Sequence, residues 1–184
     1  MLMALQGIQT ANALLGKMVD DCSLALLLAT PVSRSELLST QAGVLVSSGA
    51  VLVAVTIGGL FFGASRFGIT INHGNYIRLA FLGLALFTLI ELYSLFFSAW
   101  LVEEERAVTY AAGLTLLFYC LDIIGGLSDQ YSWLRSLSLF RCFQPQAILE
   151  GTTNPARSIA WLSVLSTILW YYTKRVFERQ DLAI

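Results

Sequence analysis

Two carboxylic acids, Glu91 and Asp122, sit inside long apolar runs of this 184-residue chain. A carboxylate at membrane depth costs several kcal/mol unless it is protonated, paired or facing water, so the chemistry such residues support is proton carriage or charge pairing. Glu91 lies near the middle of the run at 77–101, and Asp122 lies several residues beyond the midpoint of the run at 108–127. Consecutive spans run in opposite directions, which places the two acids on opposite sides of the midplane, on the order of 9 Å apart in depth. That separation argues against a shared-proton dyad. Two readings of Glu91 stay open: an intramembrane acid that functions, and a neutral or hydrogen-bonded acid that serves packing.

Other chemistry is sparse. The single histidine, His73, has no partner at ligand spacing and reads as a solvated residue of a polar turn at 65–76. Cys22, Cys120 and Cys142 are scattered and form no CxxC pair, so neither a disulfide framework nor a metal site is expected. Leu15-Gly-Lys-Met18 lacks the first glycine and the Ser/Thr of a P-loop, and no HExxH or GxSxG occurs. No catalytic residue, cofactor or metal is expected, and a net charge of −1 offers no footprint for nucleic acid.

The composition determines what must position these residues. Hydrophobic residues make up 57% of the chain and charged residues 12%, against roughly 25% charged in ordinary soluble domains. So little charge cannot clothe a soluble globule, and the chain reads as an integral membrane protein. The fold class expected is all-α: a polytopic helical membrane protein with four full transmembrane helices, an N-terminal helical fragment, and an amphipathic connector before the last helix. The spans are placed at 43–64, 77–101, 108–127 and 156–173, each judged against the roughly 20 apolar residues that cross a bilayer. Residues 1–19 are marginal, and read either as an interfacial helix or as the tail of a spanning helix that begins upstream. Gly59 and Gly63 form a GxxxG, which permits close helix approach, either at a dimer face or in generic helix packing. The connector 128–155 places Trp133, Leu137 and Phe140 at i, i+4 and i+7, as in one or two short interfacial helices. Asn154-Pro155 supplies a cap and a first-turn proline for the last helix. With the 20–40 stretch and the C-terminus placed in the cytoplasm, Lys and Arg divide six against five between the two sides, a weak positive-inside bias.

One short stretch, 20–40, is too brief to span. Asp20-Asp21 and Arg34 with Glu36 bracket the apolar Leu26, Leu27 and Leu28. Pro31 lacks an N–H and pushes Thr30 out of the helical region, which ends any preceding helix near Ala29. Ser33-Arg-Ser-Glu36 then fits a capping box that restarts a helix near Arg34.

Leu26 through Arg34, the run Leu137-Ser-Leu-Phe140 to Gln144-Pro145 and Ile148-Leu-Glu-Gly151, and the tail Phe177-Glu-Arg-Gln-Asp-Leu182 together resemble the type-two, exporter-like permease subunits of ABC transporters. The resemblance implies a multi-pass protein of the cytoplasmic membrane that exports a substrate. A separate ATP-binding cassette ATPase would hydrolyse ATP, and a second permease chain would complete the pore. It assigns contact with the ATPase to Leu26, Leu27, Leu28, Thr30, Pro31, Ser33, Arg34 and Glu36. Members usually have six spans, so the first helix and most of the second are expected upstream of Met1, unless this is a reduced subunit that relies on another chain. Gln180 replaces an arginine of the closing motif. Two alternatives are a haem-exporter-like permease, which fits the C-terminus less well, and a membrane protein outside the ABC class that uses Glu91 and Asp122 for proton-coupled transport.

Overall fold

The computed structural model describes residues 4, 6–11, 34–101, 103–127 and 131–179. The stretch that holds Leu26, Leu27, Leu28, Thr30, Pro31 and Ser33 lies outside them, as do the Arg34 side chain and residues 180–184. The described residues are helical and contain no strand. Helix α1 spans Arg34–Arg66, α2 His73–Trp100, and α3 Glu104–Leu127; α4 is the single turn Ser132–Arg135, followed by a 3-10 turn at Leu139–Cys142. Helix α5 spans Pro145–Leu149, and α6 Ala156–Arg179.

Three helices, α1, α2 and α3, are long and apolar enough to cross a membrane. Such runs are helical because hydrocarbon supplies no partner for backbone N–H and C=O groups, and a helix satisfies them internally. The chain is an all-α membrane protein. The fourth expected span is the exception to this composition. Helix α6 has 24 residues, about 36 Å, but its uncharged part runs only from Ser158 to Thr173 and includes Ser163, Ser166 and Thr167.

Helix α2 is the hub. Of its most apolar stretch 56% is buried inside the protein, against 11% for α1 and 17% for α3. Leu82, Leu86, Leu89 and Ile90 of α2 form one core with Ala111 of α3, Leu162 of α6 and Ile148 of α5. Further along, Leu92, Leu95 and Ala99 form a second core with Leu38, Ala42 and Leu45 of α1 and Phe177 of α6. The start of α1 therefore meets the ends of α2 and α6 at one pole of the bundle. The Tyr93 hydroxyl lies 2.5 Å from Thr115 Oγ1, a buried pair that ties α2 to α3, and Thr115 also donates back to the Ala111 carbonyl at 2.7 Å.

The N-terminal segment joins this packing. Ala4 and Ile8 enter the first core and Ala11 the second, so residues 4–11 run alongside α2 in the same direction.

Several element boundaries differ from the sequence-based expectation. Helix α2 begins at His73, not at 77, because the Asn72 side chain accepts from the Gly74 N–H at 3.1 Å and caps it. His73 is thus the first helical residue, with its ring 4.8 Å from that of Phe61 on α1. Gly68, at φ +66°, makes the turn between the two helices. Helix α3 begins at Glu104 instead of 108. The Gly59 and Gly63 α-carbons face open space, so the GxxxG packs against nothing in the described chain. Asn154 and Pro155 do start α6: Asn154 Oδ1 accepts from the Ala156 N–H at 3.1 Å, and the Pro155 carbonyl accepts from Ile159 at 2.9 Å.

Phe177 is 2% exposed at the pole where three helices converge. Phe177→Ala is expected to lower stability by about 3 kcal/mol through the cavity it leaves, whereas Phe62→Ala, whose ring is 73% exposed on α1, should change it by well under about 1 kcal/mol. Denaturation of the two variants in mixed micelles would measure the difference.

Candidate functional site: a buried carboxyl between two glycines

Glu91 lies on the flank of α2 that faces α1 and the N-terminal segment. It is 5% exposed, and its Oε2 is fully buried without a hydrogen-bond partner. Two glycines make room for it. A β-carbon at Gly7 would stand 3.0 Å from Glu91 Cγ, and one at Gly49 would stand 2.9 Å from Oε1. Real β-carbons essentially never come as close as the second of these, so a side chain at residue 49 would displace the Glu91 carboxyl from its place. Gln6 and Thr10 from the N-terminal segment, Ser48 and Leu52 from α1, and Phe87 from α2 complete a cavity of about 10 Å³ beside the carboxyl. The Thr10 hydroxyl donates to the Gln6 carbonyl and the Ser48 hydroxyl to the Leu45 carbonyl, both at 2.8 Å, so each keeps a lone pair for another donor.

Asp122 has a different role. Its Oδ1 accepts from Arg135 Nε at 3.1 Å, with the Asp122 side chain 24% and the Arg135 side chain 39% exposed. Arg135 belongs to α4, so this ion pair fastens the connector onto α3. The same contact depends on Gly125, where a β-carbon would lie 2.6 Å from the Arg135 backbone nitrogen. The Ser138 hydroxyl donates to the Phe118 carbonyl at 2.6 Å, and the Asn75 amide donates to the Leu149 carbonyl at 2.9 Å. The connector is therefore a set of short helices docked as a cap over the start of α2 and the end of α3. Trp133 and Leu137, the first two residues of its expected apolar face, stay exposed because the chain turns at Ser136 and Leu137. Burial pushes the Cys142 thiol in this cap above its usual range, which keeps it protonated.

The remaining site residues of the sequence reading are those of the coupling stretch. Arg34 opens α1, and Glu36 is exposed in its first turn, where the Glu36 carbonyl accepts from the Ser39 and Thr40 hydroxyls at 2.9 Å. Glu91 and Asp122 are not brought together; each meets a different neighbour. Gly7, Gly49, Gly125 and Arg135 carry no signal in the sequence, because a glycine within an apolar run permits close approach without naming what approaches. Among the described residues, no three His, Cys, Asp or Glu side chains converge as a metal site.

Gly49→Val is expected to destabilise the protein by about 1–3 kcal/mol through overpacking against Glu91. Gly58→Val, nine residues along the same helix and facing open space, should be close to silent. Thermal melts of the two variants in detergent give the comparison. At the cap, Gly125→Val should expose Arg135 and Arg141 to trypsin, Gly126→Val should not, and Asp122→Asn should have a smaller effect, since a half-exposed ion pair contributes about 1 kcal/mol or less. No protein family, curated protein or solved structure matches this chain.

Proposed function

We propose that the chain is the membrane-spanning permease subunit of an ABC transporter of the type-two, exporter-like class, driven by a separate ATPase subunit and paired with a second permease chain. The observation that carries this reading is the pole where Phe177 packs against Leu38 and Leu95. There the tail motif that begins at Phe177 and the helix that leaves the 23–38 stretch share one end of the bundle, as a common docking face for an ATPase requires. Lys174 and Arg175 flank that pole, with the Arg175 guanidinium 5.1 Å from the centre of the Tyr171 ring, an arrangement suited to a membrane boundary. The third motif, Leu137 to Gly151, falls in the cap at the opposite pole. A push on the 23–38 stretch would enter α1 at Arg34 and reach the hub helix through the second core. Few charged side chains line the spans, so the reading extends to no particular cargo.

Single cysteines at positions 26–36, in the full chain co-expressed with an ATP-binding cassette ATPase, are expected to crosslink to that ATPase, most strongly around Pro31 and Arg34, while cysteines in the cap at 146 or 152 should not. Absence of crosslinks across 26–36 in a correctly inserted protein would remove the reading.

A further inference from the structure

The slot around Glu91 supports an inference that holds whichever partner drives the chain. Each element packed there can be checked for a counter-charge. The N-terminal segment presents Gln6, Gly7 and Thr10; α1 presents Ser48, Gly49 and Leu52; α2 itself adds Phe87. Helix α6 brings the apolar Leu162, Leu165 and Leu169 to the hub. The titratable neighbour on α2, Tyr93, is engaged with Thr115 of α3. No charged side chain among the described residues faces the carboxyl, and its buried Oε2 has no partner.

An ionised carboxylate so placed would be an uncompensated charge at membrane depth. A neutral carboxyl group suits the slot, because it both donates and accepts. The cavity of about 10 Å³ has room for about one water, which could bridge Glu91 to the Ser48 or Thr10 hydroxyl. It has no room for a hydrated cation, and no second anionic oxygen is present among the described residues to hold a bare one.

We propose that the slot is a proton-binding site whose occupancy sets the docking of the N-terminal segment. With the proton on Glu91, the N-terminal segment, α1 and α2 close around the neutral acid. When the proton passes to water, leaving a carboxylate and a hydronium ion, the charge draws water in and the N-terminal segment parts from α1. The closed junction is thus present at low pH and lost as the pH rises.

The test uses the full chain in liposomes with Cys22, Cys120 and Cys142 replaced by serine and nitroxides on Gln9→Cys and Ser47→Cys, both at exposed positions. Dipolar broadening between the labels should be strong near pH ~5 and fall several-fold near pH ~9, with the ordinary carboxylates already ionised across the upper part of that range. In the Glu91→Gln background, neutral at any pH, it should stay strong throughout. Broadening that ignores pH in the parent, or an equal fall in the Gln variant, would overturn the proposal. Should the Gln variant fail to insert, infrared spectra of the parent at about pH 7 decide the matter. A protonated-carboxyl stretch there, where surface acids are ionised, supports the site, and its absence refutes it.

Discussion

An acid at membrane depth has to be housed without bulk water, and the helices around Glu91 are arranged to do that. Lipid supplies no hydrophobic drive for helix association, so contacts must come from close packing and from polar groups that find partners. Both appear on α2. Gly7 and Gly49 let two backbones close on Glu91, and on the other side of the helix Tyr93 meets Thr115. Next to these, Ser94 and Ser98 donate to the carbonyls one turn back, at 2.8 and 3.1 Å. The central position of α2 follows from this combination of an acid, hydroxyl side chains and abundant leucine on one span.

The two poles are built by different rules. At the pole where α1 begins, large apolar groups (Leu38, Leu95, Phe177) pack together. At the other pole, the cap is held by directional contacts: Asp122 with Arg135, Ser138 with the Phe118 carbonyl, and Asn75 with the Leu149 carbonyl. The second pattern gives a fixed register, since each bond accepts one geometry. The first fixes the helices by close packing, where even a gap of about 0.5–1 Å forfeits a quarter to a half of each contact.

Much of the fold was legible because lipid imposes so strong a pattern. Runs without charge at 43–64, 77–101 and 108–127, interrupted only by Arg78, Glu91 and Asp122, could hardly be anything but helices, and Asn154-Pro155 marked the start of α6. Helix starts next to polar residues were harder to place. Asn72-His73-Gly74 reads as a turn until Asn72 is seen accepting from Gly74 as a cap. Glu91 was visible as an anomaly, but its setting was not. Gly7 and Gly49 are 84 and 42 residues away in the chain, and nothing local links them to it. Asp122 looked like the same kind of anomaly, yet its partner Arg135 sits across a turn in the cap, where only tertiary structure could pair them.

Helix α1 is gripped unevenly. Its lower part is held at Leu38, Ala42, Leu45 and Gly49, while above that Ala50, Val53, Ala54 and Ile57 stand across an apolar groove of about 240 Å³ from Ile77, Ala80, Phe81 and Leu84 of α2. Val51 and Val55 are more than half exposed on the outer face. The rod is 33 residues long, about 50 Å; it is clamped over its first half and touched again near its far end, where Phe61 meets His73 and Tyr76. Between these two supports it bridges the groove as a beam does.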